Sequence, residues 1–223
     1  MTAATSRAMN VLVVDDHPIV RHGLARLISQ EPGLAACGEA ADPHQAIECI
    51  ETTRPDLVIV DISLGSTSGL ALVEDIAARR PDLPVLVLSM HDEALYAERA
   101  LRAGARGYIM KQAPPDEIIA AIRKTLQGEV YLSHTMANRV MHGLVGAART
   151  EPATPLDRLT NRELEVFDLI AQGLSTSRIA HSLHRSVKTI ETHVAHIREK
   201  LGLRDSRELL RYAIEWSRRS ATP

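Results

Sequence analysis

Short apolar runs alternate with longer segments of helical periodicity through the first half of the chain. The runs are rich in β-branched residues and predict five buried strands, at residues 11–14, 34–37, 57–60, 85–88 and 107–110. The segments that follow them predict helices at residues 18–29, 43–53, 69–79, 93–103 and 116–127. Strands that alternate with helices in this way are typical of an α/β fold, in which helices cover both faces of a parallel sheet.

From residue 157 onward the periodicity is helical throughout and predicts a second, smaller all-α domain. Thr160-Asn-Arg-Glu163 forms a capping box for the first helix, and Ser175 and Ser186 are N-cap candidates for the next two. The third helix, at residues 187–201, carries an apolar face made of Val187, Ile190, Val194, Ile197 and Leu201. A short helix, a tight turn and a longer helix form a helix-turn-helix pattern. An ordinary helical bundle with a solvated outer face is the alternative that this pattern leaves open.

The stretch between the two parts has the composition of a linker. Residues 133–149 predict one helix, in which Val140, Leu144 and Val145 supply the apolar spacing, and residues 150–155 contain two prolines. We therefore expect an α/β domain over residues 10–132, a linker over 133–156 and a helix-turn-helix domain over 157–223.

The formal charge is unevenly divided between the predicted domains. Residues 157–223 carry 12 Lys and Arg against 9 Asp and Glu, a net +3, whereas the preceding residues carry 14 against 19, a net −5. This asymmetry indicates two different roles, although a basic excess of this size only suggests nucleic-acid binding. Cys37 and Cys49 lack the spacing of a disulfide framework or metal site, so reduced thiols are expected. Without a long apolar run or a signal-type N-terminus, the chain is expected to be cytoplasmic, with no membrane association.

Polar residues stand at the carboxyl ends of four predicted strands. Asp15 and Asp16 follow the first strand, Asp61 the third, Ser89 the fourth and Lys111 the fifth. Because parallel strands end at one edge of the sheet, these side chains are expected to meet near the switch point of a flavodoxin-like, five-stranded sheet. Three carboxylates at one place suit Mg²⁺, which prefers oxygen ligands. With an amine and a hydroxyl beside them, they predict a phosphoryl-transfer site in which Asp61 is the nucleophile.

Each of these residues also has a simpler structural role open to it. Asp15 or Asp16 can cap the helix that begins near Pro18, and Ser89 can cap a helix of its own. Lys111 can be a solvated surface charge. Their shared placement at the strand ends of one βα repeat favours a common site.

The motifs at the strand ends resemble the signature of the receiver domain of two-component systems. In chain order they are Val14-Asp15-Asp16-His17-Pro18, Val60-Asp61, Ser89 and Gly107-Tyr108-Ile109-Met110-Lys111, in a match that spans roughly residues 10–130. The resemblance implies that Asp61 accepts phosphate from the phosphohistidine of a sensor histidine kinase.

The same resemblance assigns a metal and a switch. It implies that Asp16, Asp61 and the Ser63 backbone carbonyl bind Mg²⁺ directly, with Asp15 helping through water. Ser89 and Tyr108 match the family's switch hydroxyl and switch aromatic residue, and a ring simply buried at a strand edge is the alternative for Tyr108. Gly65 departs from the family pattern, which often has proline there, and is expected to loosen the metal-binding loop.

Two motifs in the last part of the chain resemble the LuxR-type DNA-binding domain. They are Leu159-Thr-Asn-Arg-Glu-Leu-Glu and Ser186-Val-Lys-Thr-Ile-Glu-Thr-His-Val, in a match that covers about residues 157–217. Together with the receiver-like part, they make the chain resemble the NarL/FixJ class of response regulators. The resemblance implies contacts with double-stranded promoter DNA: Lys188 and Thr189 reach DNA phosphates, while Glu191, Thr192 and Ala195 lie near base edges.

The expected function is therefore that of a phosphorylation-controlled transcription factor and not of an enzyme. The resemblance implies a homodimer after phosphorylation, and the last helix near Leu209 and Leu210 is the predicted pairing surface. One alternative is a phosphatase with an aspartyl-phosphate intermediate, but such hydrolases have an Asp-x-Asp motif after the first strand, unlike Asp15-Asp16. A second alternative retains DNA binding and makes the receiver a dimerisation module that does not respond to phosphate.

Overall fold

The computed structural model describes residues 7–65, 67–138 and 154–220, which fall into two compact units, Met1–Met141 and His142–Pro223. Among the described residues, no helix combines the length and the apolar character that crossing a membrane requires.

The first unit is an α/β domain whose main sheet has the strand order β2-β1-β3-β6-β7, with all pairings parallel. The strands are β1 (Met9–Val14), β2 (Leu34–Ala40), β3 (Leu57–Val60), β4 (Ser63–Leu64), β5 (Thr67–Ser68), β6 (Val85–Ser89) and β7 (Gly107–Met110). The helices are α1 (Pro18–Gln30), α2 (Pro43–Thr53), α3 (Gly69–Arg79), α4 (Glu93–Arg102) and α5 (Pro115–Leu126). The predicted five-stranded parallel sheet of flavodoxin-like order is confirmed.

Burial explains why the apolar runs become central strands. All four residues of β3 are buried, as are Val11–Val14 of β1 and every residue of β6. Val14 pairs with Val60, and Val60 with Val87, so the carboxyl ends of β1, β3 and β6 lie side by side. The residues that follow these strands therefore meet at one edge of the sheet.

Two parts of the first unit differ from the prediction. β2 continues to Ala40, past Gly38 and Glu39, because an edge strand pairs on one side only and tolerates polar residues. The antiparallel pair β4–β5 begins two residues after Asp61 and was not predicted, because strands of two residues are too short to show an apolar period.

The chain leaves the first unit along the edge of the sheet. Tyr131 forms a parallel bridge with Gly107, and residues 134–138 are helical. The rest of the predicted linker helix, including Val140, Leu144 and Val145, lies outside the described residues.

The second unit is all-helical over its described residues, and the predicted helix-turn-helix arrangement is confirmed. A 3₁₀ helix (Pro155–Arg158) precedes α6 (Asn161–Ala171), α7 (Thr176–Ser182), α8 (Val187–Leu201) and α9 (Ser206–Ser220). Phe167 is fully buried and packs edge-on against Tyr212, with ring centroids 6.1 Å apart. One prediction about α8 is wrong: Val187 is exposed, because the first turn of the helix extends beyond the apolar contacts made by Ile190 and Ile197.

Local chemistry fixes the ends of these helices. The Thr160 hydroxyl accepts the Glu163 N–H at 3.3 Å, and the Glu163 carboxylate accepts the Thr160 N–H at 2.8 Å, which completes the predicted capping box. Ser175 and Ser186 cap α7 and α8 through their hydroxyls. Gly202 ends α8 with a φ of 68°, a left-handed conformation that favours glycine.

Candidate functional site

A buried cluster of two carboxylates and one lysine lies at the carboxyl edge of the main sheet. Lys111 Nζ is 2.6 Å from Asp15 Oδ2 and 2.8 Å from Asp61 Oδ2. Asp61 is only 3% exposed, and Asp15 and the Lys111 side chain are buried as well. The structure thus brings together three of the predicted strand-end residues, and Lys111 is a buried counter-ion rather than a solvated charge.

Asp16 lies beside this cluster, and one of its carboxylate oxygens accepts no hydrogen bond from the described residues. Its Oδ2 accepts the Gly65 N–H at 2.9 Å, and Gly65 has a φ of 54°. Gly65 was expected to loosen the loop after Asp61, but this hydrogen bond holds the loop to Asp16. Asp16 Oδ1 is buried and accepts no hydrogen bond from the described residues, although His17 Nδ1 approaches it to 2.7 Å without hydrogen-bond geometry. Neither Asp15 nor Asp16 caps α1, whose N-cap is His17 and has no side-chain cap.

The electrostatics of the cluster leave Asp61 short of positive charge. Burial raises the pKa of the Asp61 carboxyl to about 6, against the opposing effect of Lys111, and the neighbouring Asp15 raises it further. A hydrogen bond from the Ser63 backbone lowers it. Burial also opposes the charge on Lys111, but Asp61 and Asp15 outweigh it and raise the pKa of the amine, which stays protonated. One ammonium is therefore shared between the Asp15 and Asp61 carboxylates.

The donors at this edge fit a divalent cation. Asp15, Asp16, His17 and Asp61 each offer a ligand atom, and these atoms lie within 4.8 Å of one another. The carboxylates outnumber the one lysine amine, and the buried Asp16 Oδ1 lacks a hydrogen-bond donor. Carboxylate oxygens with this excess of negative charge are ligands that suit Mg²⁺.

The two predicted switch residues are both fully buried and share one neighbour. The Tyr108 hydroxyl donates to the His91 carbonyl at 2.8 Å, and the Ser89 hydroxyl accepts the His91 N–H at 3.2 Å. Burial raises the pKa of Tyr108 well above its usual value, and a hydrogen bond with Ser89 opposes this effect. Ser89 does not cap α4, because Asp92 does so by accepting the Ala94 N–H.

Sequence reasoning missed His91, which links the switch residues to the loop after Asp61. Its Nε2 lies 2.9 Å from the Ser63 hydroxyl, and its ring stacks on buried Tyr96 with centroids 4.6 Å apart. Its position two residues after Ser89 is the only signal in the sequence, and it identifies no partner. Ser63 is thereby held from both sides, by the Asp61 carboxylate and by His91.

Gly69 allows the start of α3 to pass close to the backbone of Asp61. A Cβ at Gly69 would lie 1.8 Å from the Asp61 carbonyl oxygen, a separation that no side chain can adopt. The Gly69 N–H donates to the Ile62 carbonyl at 2.6 Å. The first residue of α3 therefore positions the backbone that carries the candidate nucleophile.

The second unit presents the predicted DNA-reading face on α8. Lys188, Glu191, Thr192 and Ala195 are exposed, and Thr189 is half-buried. A groove of about 340 Å³ runs along this face and is lined by Ser186, Lys188, Thr189, Thr192, His193 and His196. The predicted phosphate contacts thus line one groove with Thr192, while Glu191 and Ala195 are exposed outside it.

A buried glutamate lies behind this groove. Besides capping α6, Glu163 places Oε2 at 2.6 Å from Lys200 Nζ and Oε1 at 3.7 Å from His196 Nδ1. Burial opposes its charge, but hydrogen bonds from Lys200 and Thr160 outweigh this effect and hold the pKa of the carboxyl below its usual value. The capping role was predicted, whereas the contacts with α8 were not, because they join residues distant in the chain.

The predicted pairing surface on α9 needs one correction. Leu209 is 1% exposed and belongs to the core of its own unit, so it is not available to a partner. Leu210 is 40% exposed and remains a candidate. Adjacent residues of a helix point about 100° apart, so one side chain packs inward while the next reaches solvent.

Two family models match the chain. One, described as the response regulator receiver domain, matches residues 11–123, and the other, described as bacterial regulatory proteins of the luxR family, matches residues 157–213. The strand-end cluster falls in the first match and the groove on α8 falls in the second.

Named relatives match nearly the whole chain. The oxygen regulatory protein NreC of Staphylococcus epidermidis is 34% identical over 212 residues, which cover 93% of this chain and 97% of the relative. RcsB of Salmonella enterica serovar Typhimurium, solved bound to the promoter rprA with the phosphomimetic BeF3−, is 28% identical, with a TM-score of 0.61 and coverage of 93% and 98%. A structure of two RcsB dimers on two parallel DNAs is 26% identical, with a TM-score of 0.55 and coverage of 97% and 100%.

Proposed function

The chain belongs to the response regulators of the NarL/FixJ class, a family of transcription regulators, and on that premise we propose that phosphorylation of Asp61 controls its binding to promoter DNA. The observation that supports this most is that Lys111 pairs with both Asp15 and Asp61 at the carboxyl edge of the sheet. The proposed domains are those expected from the sequence, a receiver over residues 10–132, a linker over 133–156 and a DNA-binding domain over 157–223.

Asp61 is the proposed phosphoacceptor. Its carboxylate attacks the phosphorus of a phosphohistidine on a sensor histidine kinase, and the bond from phosphorus to the imidazole nitrogen breaks. The raised pKa of Asp61 reflects a buried anion that lacks compensation, so positive charge brought to the site favours its reactive ionised form. The Lys111 amine lies within hydrogen-bond distance of Asp61 and can turn to an oxygen of the transferred phosphoryl group.

Mg²⁺ is the proposed cofactor. Asp16, Asp61 and the backbone carbonyl of Ser63 would hold it, and Asp15 would contribute through water. When bound, the ion neutralises carboxylate and phosphoryl oxygens. The hydrogen bond from Gly65 to Asp16 holds one of these carboxylates in place, and the second Asp16 oxygen is left for the metal.

The structural effect of phosphate on Asp61 is proposed to be transmitted to the rest of the receiver through Ser89 and Tyr108. Both side chains are buried and meet at His91, so a change at the Ser89 hydroxyl alters the contact that holds the Tyr108 ring. Two buried groups that share a neighbour can adopt two discrete packings, and phosphate biases them through its charge.

Promoter DNA and a second copy of the chain are the proposed partners. Lys188 and Thr189 contact DNA phosphates, while Glu191, Thr192 and Ala195 lie near base edges. Leu210 on α9 is the proposed centre of the pairing surface, since it is exposed and apolar. The RcsB structures solved with promoter DNA, and as dimers on DNA, support both partners. A promoter-binding regulator acts on the chromosome, so the proposal places the protein in the cytoplasm.

The test combines sizing with footprinting. The full-length protein is treated with a small-molecule phosphodonor and Mg²⁺, its mass in solution is measured, and its footprint on genomic DNA fragments is mapped. We expect a shift from monomer to dimer and a stronger footprint, both absent from Asp61→Asn. Identical mass and footprint with and without phosphodonor would refute the phospho-switch.

A further inference from the structure

His196 shares the groove on α8 with the proposed DNA contacts but has no assigned role. Its side chain is 54% exposed and lines the groove together with Lys188, Thr189 and Thr192. On its inner side, its Nδ1 faces Glu163 Oε1 across 3.7 Å, slightly beyond hydrogen-bond distance. One nitrogen of the His196 ring therefore points toward a buried carboxylate. The ring itself is on α8, whose other groove residues are proposed to contact DNA.

Glu163 offers His196 a fixed negative charge. Its Oε2 accepts the Thr160 N–H and lies 2.6 Å from Lys200 Nζ, so the oxygen that faces the imidazole is Oε1. These hydrogen bonds keep the pKa of the carboxyl low despite its burial, so it is ionised at neutral pH. The carboxylate is also anchored to the start of α6 by the capping box, which prevents it from turning away.

The other histidine of the groove is in a different position. His193 is half-buried, and its pKa is lowered by burial and by neighbouring positive charges, against the effect of Glu163. It is therefore neutral at pH 7. Among the described residues, the charged or titratable groups around the groove include Arg162 and Glu163 on α6, Arg185 in the turn, and Lys188, His193 and Lys200 on α8.

We propose that His196 is a further DNA contact, in which an imidazolium donates from Nδ1 to Glu163 and from Nε2 to a phosphate oxygen of the DNA backbone. A neutral ring with its proton toward Glu163 would present a lone pair to the phosphate, so the contact requires both nitrogens to be protonated. DNA binding therefore takes up a proton at His196, with Glu163 as the positioning residue. This inference rests on the proposed DNA-binding function.

The test measures two slopes on the full-length, phosphorylated protein. Its affinity for a duplex identified by footprinting is measured against salt concentration and between pH 6 and pH 8. Each phosphate contact adds about 0.9 to the slope of log affinity against log salt, so His196→Gln is expected to reduce that slope by about 1. Wild-type affinity is expected to fall as pH rises, by up to ~10-fold more than that of His196→Gln.

Two variants separate this role from a structural one. His22→Gln is the matched control, because His22 is an exposed imidazole 2.6 Å from Glu39 in the other unit, and both slopes should stay at wild-type values. Glu163→Gln keeps an oxygen for the capping box and removes the charge, so the pH dependence should shrink toward that of His196→Gln. Because His196 is exposed, its own variant decides the question even if Glu163→Gln fails to fold.

The outcomes distinguish this inference from the proposed function. DNA binding with the same salt slope and the same pH dependence in His196→Gln as in wild type would overturn the role of His196 alone. A wild-type protein that leaves no footprint would overturn the proposed function and this contact with it.

Discussion

Each unit of this protein holds a buried carboxylate against a lysine, and the two carboxylates respond in opposite ways. Lys111 Nζ lies 2.8 Å from Asp61, and Lys200 Nζ lies 2.6 Å from Glu163. Yet the pKa of Asp61 is raised to about 6, whereas that of Glu163 is held below its usual value. The distance to the lysine therefore does not explain the difference.

Burial raises the pKa of both carboxylates; it outweighs the effect of the lysine at Asp61, whereas hydrogen bonds outweigh it at Glu163. The other contacts of each lysine add to this difference. Lys111 is shared with Asp15, whose negative charge also raises the pKa of Asp61. Glu163 has Lys200 as its lysine partner and also accepts the Thr160 N–H. A buried anion with too little compensating charge favours binding of a cation and of phosphate, while an anion hydrogen-bonded to a lysine of another helix holds the two helices together.

The largest expected effect comes from moving Asp61 itself. Gly69→Ala would place a Cβ 1.8 Å from the Asp61 carbonyl oxygen, so the backbone of the site must shift. We expect the receiver unit to lose ~3 kcal/mol or more of unfolding free energy, measured by hydrogen exchange of the β1 and β3 amides. Gly23→Ala in α1 is the control: a Cβ there meets nothing within 4 Å, so stability should rise by up to ~1 kcal/mol. Equal exchange rates in both variants would show that the close contact between Gly69 and the Asp61 carbonyl does not require glycine.

A second prediction concerns the charge on Asp61 in the absence of metal. Because its pKa is raised from 3.8 to about 6, its contribution to folding is fully present below about pH 4 and is lost as pH rises through 6. With EDTA present, Asp61→Asn should match wild type at pH 4 and exceed it by roughly 3 kcal/mol at pH 8, since one pKa unit corresponds to ~1.4 kcal/mol. Hydrogen exchange of the same receiver amides measures the difference. A gap that does not change with pH would show that the pKa of Asp61 is not raised in the folded receiver.

The smallest predicted effect is on the compensated side of the comparison. Lys200→Met should lower the unfolding free energy of the second unit by about 1 kcal/mol at pH 7, because Lys200 is one-third exposed and solvent screens the pair. Since the pKa of Glu163 is lowered, this difference should close as pH falls through the folded pKa. Trp216 is the only tryptophan and lies on α9, so its fluorescence reports this unit during urea unfolding. A double variant with Glu163→Gln whose effects simply add would show that the two side chains are not coupled.

Sequence patterns could predict the framework of the site because each strand-end residue follows an apolar run. Asp61 follows four buried residues, and the parallel register then places it beside Asp15 without further information. The Glu163 cap was predictable for a similar reason, since its partner Thr160 is three residues away.

Contacts between distant residues could not be predicted in this way. Lys200 and His196 reach Glu163 from another helix, and His91 finds Ser63 only because β3 and β6 pair. Periodicity also misjudged the edge of an apolar face at Val187, which is exposed, because packing against neighbouring helices decides which side chains are covered. The pattern of apolar residues thus predicts where helices and strands lie and end, whereas tertiary packing determines which charged groups lie beside each buried carboxylate.

The phospho-switch is tested most directly by the ratio of two dissociation constants for one DNA fragment at one salt concentration. They are measured on the full-length protein with Mg²⁺, before and after treatment with a phosphodonor, for wild type and for Asp61→Asn. The phospho-switch predicts that phosphorylation tightens binding by wild type at least about 10-fold and leaves binding by Asp61→Asn unchanged. A wild-type ratio of one, or an Asp61→Asn variant that responds like wild type, would contradict it.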